Sequence, residues 1–183
     1  MASRRTGKSR AAEPVTDIRV SARARAPLSI AGVRRLAAAV IAAERASVSA
    51  LSITFVGPAR IRTLNRLHLG RDQATDVIAF GMNAGMGNRE LGIGRRAGVR
   101  PQAPFPIPHS PFPAVGDVYI CPAIATRDAK DFGSTPKAEV RRLVIHGILH
   151  VLGYDHPDGN HRTASAMWQV QERHLARFGR LAP

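Results

Sequence analysis

The segment Val140–His156 reads VRRLVIHGILHVLGYDH. Its apolar residues recur with helical period, and the helix is expected to run over about Lys137 to Leu152. His146 and His150 stand four apart in it, so both imidazoles share one face, about 5–6 Å apart at Cβ. Two nitrogens placed so can reach one ion at about 2.0–2.1 Å. Gly153 can take positive φ and end the helix, and the turn lets His156 return as a third ligand. The implied cofactor is one zinc ion per chain. Three neutral ligands leave a fourth position for water, the arrangement of a catalytic zinc site. Asp155 either orients a ligand ring as an acceptor behind the metal or serves as a cap or turn residue after Gly153. His68, His109, His161 and His174 have no comparable partners in sequence and read as surface residues.

The spacing H-x-x-x-H-x-x-G-x-x-H is also that of a class of zinc proteases. Those enzymes carry Glu immediately after the first histidine, as the base that takes a proton from water. Gly147 occupies that place here. The protease reading therefore falls behind metal-assisted hydrolysis of another substrate. Phosphodiesters suit it, because a metal activates water and offsets negative charge while cationic side chains hold the phosphate.

Working outward, Val15 to Val20 alternates apolar and polar and reads as a strand. Ser29 to Ala46 has Ile30, Val33, Leu36, Ala37, Val40 and Ile41 at helical steps. Ala50 to Val56 reads as a second strand. Pro58 can open a helix carrying Ile61, Leu64 and Leu67 on one face. Asp76 to Phe80 and Val115 to Cys121 are further strands, and a short helix near Ala123 and a long one over Thr163 to Phe178 complete the set. Gly81 to Ala114 is rich in Gly and Pro and has no run that could form a core, so it is expected to be a long loop. Mixed helices and strands without regular alternation point to an α+β fold, a single domain over 15–183 with a small mixed sheet of about four strands. Residues 1–14 are polar and basic without periodicity and read as a disordered arm.

Composition bounds the function. The chain has 183 residues, 44% of them hydrophobic, enough for one globular domain. The longest apolar run, Leu36 to Ala43, is too short to span a bilayer, and the basic N-terminus has no apolar stretch behind it, so a cytoplasmic protein is expected. A single cysteine, Cys121, excludes an internal disulfide framework and reads as a buried thiol. Lys and Arg total 27 against 13 Asp and Glu, a net charge of +14. Only Lys8, Lys130 and Lys137 are lysine. Arginine favours planar, bidentate contact with phosphate, and the excess of cations points to a polyanionic partner. Codon bias in a GC-rich genome accounts for the choice of Arg over Lys but not for the excess of positive charge.

HGILHVLGYDH, together with LNRLHLGRDQATDVIAF (Leu64–Phe80), GDVYIC (Gly116–Cys121) and MWQVQERHL (Met167–Leu175), resembles the YbeY family of bacterial ribosomal-RNA maturation factors. The resemblance covers roughly Val15 to Phe178. It implies a metal-dependent hydrolase fold, a three-histidine zinc site and single-strand endoribonuclease activity. It also implies roles in small-subunit rRNA maturation and ribosome quality control, with RNA and the small ribosomal subunit as partners. An rRNA-binding assembly factor with a mainly structural zinc is the alternative, and a metalloprotease a more distant one. The chain departs from the family pattern at His68-Leu69, where family members carry Tyr-Arg with the Arg as a phosphate contact. Arg71, two residues on, takes that catalytic role if the stretch is extended, and is a plain surface charge if it is helical.

Overall fold

A computed structural model describes residues 16–83, 113–131, 133–157 and 163–182. The N-terminal arm and most of the Gly/Pro-rich segment lie outside the described residues. The elements are β1 (Asp17–Ala22), α1 (Ile30–Ala43), β2 (Val48–Phe55), α2 (Pro58–Leu69), β3 (Val77–Asn83), β4 (Ala114–Ile120), α3 (Pro122–Asp131), α4 (Pro136–Val151) and α5 (Ala166–Phe178).

One four-stranded sheet runs in the order β1-β2-β4-β3. The pairs β1–β2 and β2–β4 are parallel, and β3 is antiparallel to β4. A mixed sheet with helices packed on it is the expected α+β architecture. Helix α1 makes the crossover between the parallel strands β1 and β2, a connection too long for a hairpin. It begins where Ser29 Oγ accepts the Gly32 N–H at 3.1 Å. Its buried stripe of Val33, Leu36, Ala37, Val40 and Ile41 meets Leu51, Ile53 and Phe55 of β2 and the inward residues of α4 in one core. Strand β4 alternates, with Ala114, Gly116, Val118 and Ile120 buried. A second, smaller cluster joins Ile61 and Leu64 of α2 to Val56, Ile78, Cys121 and Ile124. Cys121 is fully buried there, and its N–H donates to the Asp76 carbonyl at 2.8 Å.

Three expectations change. Gly81, Met82 and Asn83 belong to β3, paired with Gly116, Val115 and Ala114, so the segment expected to be a loop over Gly81 to Ala114 starts three residues too early and, since Ala114 opens β4, ends one too late. Pairing along a neighbouring strand overrides the local bias of Gly toward turns. Leu67 is 67% exposed and is not on the buried face of α2; Asn65 takes the third buried place, its amide donating to the Gln73 carbonyl at 2.8 Å. His174 is not a surface residue: it is 4% exposed, on the inner face of α5.

Candidate metal centre

Helix α4 is anchored at both ends. Thr135 Oγ1 accepts the Ala138 N–H at 3.1 Å, and Pro136 follows at the first helical position. At the other end Gly153 takes φ 92°. The Gly153 N–H donates to the His150 carbonyl and the Tyr154 N–H to the Leu149 carbonyl, at 2.9 and 3.0 Å. This pair of bonds is the Schellman closure, and it folds the chain back over the last turn. Helix and turn thereby bring His146, His150 and His156 together, with one ring nitrogen of each within 4.8 Å of the others.

Glycine sets how closely α4 lies on the sheet. A Cβ on Gly147 would fall on a Val118 methyl of β4, and one on Gly116 would fall on the Val151 side chain. Residue 147 thus points into the sheet. The position that carries Glu in the proteases has no room for it here.

The hydrogen bonds decide which nitrogens face the centre. His150 Nδ1 lies 3.1 Å from the Tyr154 carbonyl and His156 Nδ1 lies 3.1 Å from the Pro157 carbonyl. A carbonyl only accepts, so both Nδ1 atoms carry the proton. His146 Nδ1 lies 2.9 Å from Gln171 Oε1, and the amide of Gln171 is oriented by donating from Nε2 to Glu172 Oε1 at 3.1 Å. His146 therefore also donates through Nδ1. It follows that the Nε2 atoms of His146 and His150, 3.1 Å apart, are both acceptors and do not bond each other. Two lone pairs aimed at one point are unfavourable until a cation sits between them. Nitrogens bound tetrahedrally to one ion at about 2.0–2.1 Å stand roughly 3.3 Å apart, so the residues present fit a metal.

Burial, reinforced by the neighbouring histidine, pushes the His146 imidazole down to about 3. Burial, with the charge of His156 adding to it, pushes His150 down to about 4. Both rings are neutral near pH 7, the form that binds metal. Asp155 is exposed, and its Oδ1 accepts the His156 backbone N–H at 2.8 Å; each of the three ring Nδ1 atoms has a different partner. Arg71 follows Gly70, which ends α2 with φ 68°. The helix runs through Leu69, so Arg71 neither continues its face nor shares an extended segment with Leu69. Leu69 packs against the smaller apolar cluster. Gln171, on the His146 ring, is a supporting residue that the sequence alone did not single out.

The family description "Endoribonuclease YbeY" matches residues 22–179. The chain belongs to this family. Among its relatives, the endoribonuclease YbeY of Geobacillus kaustophilus is 36% identical over 148 residues, covering 80% of this chain and 85% of the relative. That of Alkalilimnicola ehrlichii is 32% identical over 160 residues, covering 87% and 83%. A Thermotoga maritima protein solved in solution shares the fold at a TM-score of 0.51 and 22% identity, with 88% of each chain covered.

Proposed function

We propose that this protein is a zinc-dependent, single-strand endoribonuclease that acts on ribosomal RNA in small-subunit maturation and ribosome quality control, in the cytoplasm. The observation that carries the metal part is the convergence of Nε2 lone pairs from His146, His150 and His156 while their Nδ1 atoms are all engaged. The family carries the endoribonuclease part. Zinc held there supplies Lewis-acid polarisation of a phosphodiester and activation of water at neutral pH. His146, His150 and His156 would hold it through Nε2. Gln171 and the Tyr154 and Pro157 carbonyls keep those rings in the tautomer that binds.

The net charge of +14 suits RNA as the partner. Among the described residues, no helix is long and apolar enough to cross a membrane. Gly147 points at Val118 rather than into the centre, which disfavours protease chemistry with a base at that position. Arg71, which does not share an extended segment with Leu69, is assigned to a substrate phosphate on its charge and exposure alone. It is exposed just past the α2 cap, whereas Leu69, at the position of the family's Arg, is engaged in apolar packing.

The deciding experiment is metal-dependent cleavage of purified single-stranded rRNA fragments, with His150→Ala as the control for contaminating nuclease. Cleavage that disappears with chelator, returns with zinc and is absent in the variant is expected. Equal cleavage by the variant would overturn the enzymatic reading. RNA binding without any cleavage would favour an assembly factor whose zinc is structural. Arg71→Ala should lower the single-turnover rate while zinc content stays unchanged; an unaltered rate removes that assignment.

A further inference from the structure

Behind the three histidines lies a second polar cluster. Glu44 caps the C-terminal end of α1. Its Oε2 accepts the Tyr154 hydroxyl at 2.5 Å, and its Oε1 accepts from His174 Nε2 at 2.6 Å. The partners are 110 and 130 residues away in sequence, so three separate segments meet at one carboxylate. The site is well removed from solvent: His174 is 4% exposed and the Glu44 side chain 16%. His174 Nδ1 finds no hydrogen-bond partner among the described residues. A leucine at 174 would leave no orphaned polar atom, so packing alone does not account for an imidazole there. What the imidazole supplies is a donor to Glu44.

Tyr154 is held at two ends. Its hydroxyl is fixed on Glu44, and its backbone carbonyl accepts His150 Nδ1–H at 3.1 Å. A tyrosine side chain has only two rotatable bonds, so anchoring its hydroxyl restrains the backbone that carries it. The same helix that carries His174 carries Gln171 one turn earlier, on the ring of His146. The two more buried ligand rings therefore both lean on α5, His146 directly and His150 through Tyr154 and Glu44.

We propose that Glu44 and His174 are positioning residues for the metal centre, acting through Tyr154 to hold the turn Gly153–His156 and the tautomer of His150. The proposal rests on the metal reading of the three histidines. It assigns the cluster a role in metal affinity rather than in the fold alone. Partners behind the ligands of a metal site typically change its affinity about 10–100-fold, and this strut stands one bond further out, so the lower end applies.

The test uses the full-length protein, zinc alone as the probe, and competition with a chromophoric chelator. Tyr154→Phe and Glu44→Ala are each expected to weaken zinc binding by about 10-fold, and the double variant no more than the worse single, because they interrupt one chain of contacts. Glu44→Gln should retain more affinity than Glu44→Ala, since its amide can still accept the tyrosine hydroxyl. In the zinc-free proteins, imidazole ¹⁵N shifts should show His150 as the Nδ1–H tautomer in wild type and as a mixture in Tyr154→Phe. Zinc affinity within two-fold of wild type, with only the melting temperature lowered, would make the cluster structural and overturn the proposal. An unchanged His150 tautomer in Tyr154→Phe would overturn it independently of zinc. A wild-type chain that takes up no zinc would instead overturn the metal reading itself.

Discussion

Replacing Gly147 with alanine sets two effects of known size against each other. Gly147 is inside a 16-residue helix, and exchange of Gly for Ala in a helix interior ordinarily gains about 1 kcal/mol. The added methyl would land on a Val118 methyl. Val118 is fully buried on β4, which is flanked by β2 and β3, and a β-branched side chain in such a place has little rotamer freedom. The clash is relieved only by moving α4 off the sheet. Overpacking of this kind costs roughly 1–3 kcal/mol, and loosened contact along the rest of α4 places the cost at the upper end. The net expectation is destabilisation by about 1–2 kcal/mol. At about 2–4 °C per kcal/mol for a chain of this size, thermal unfolding followed by circular dichroism should show a fall of several degrees. A double variant with Val118→Ala should be less destabilised than the sum of the two single changes, because each makes room for the other. A Gly147→Ala protein that melts higher than wild type, as helix propensity alone requires, would refute the close-packing argument and the account of why no acid stands at that position.

Zinc content should be about one per chain in wild type and largely lost in His150→Ala by elemental analysis; chelator should lower the melting temperature of wild type but not of the variant, since only a ligand that binds the fold stabilises it. In the zinc-free protein, His146 and His150 are held neutral down to about 3 and 4, whereas histidine in an unfolded chain titrates near 6.5. The unfolded chain thus gains protons that the folded one refuses, so stability is whole above about pH 6.5 and falls from there toward pH 4; urea unfolding that is flat across that window would contradict the burial of these rings. Leu69→Arg should destabilise by about 1 kcal/mol in denaturant unfolding, because the side chain leaves the small apolar cluster; an unchanged midpoint would mean that Leu69 does not matter to that cluster. RNA affinity should fall steeply between low and moderate salt, and a flat response would leave the charge of the chain without a role.

The residues that organise the centre divide by how far their partners lie along the chain. His146, His150, Gly153 and His156 were legible because the helix repeat and one turn bring them together within eleven residues. The α+β class was legible in the same way, from stripes such as that of α1, whose period survives in the fold. Glu44 was not, because its meaning lies in contacts with residues 154 and 174, and no local pattern announces them. Gln171 and His174 did leave a trace: with Met167 and Val170 they occupy the buried positions of α5, and two polar side chains on an otherwise apolar face need partners. Leu67 lies close to the apolar side of α2 in the helical repeat, and only the packing of the helix decides how wide that side is. Gly81 and Met82 look like loop in isolation, and only their pairing with β4 makes them strand.

The fully buried thiol at the end of β4 also has a practical consequence. Because the chain contains one cysteine, a thiol-reactive reagent can modify the molecule at a single place, and that place is sealed between Ile124 and the α2 side of the sheet. The modification rate under native conditions, compared with that of the unfolded chain, measures how often this corner opens. If opening and closing are fast relative to the reagent, the ratio yields the free energy of that opening directly. Cys121 is thus a reporter already in place, able to tell whether loading the metal on one side of the sheet tightens the packing on the other.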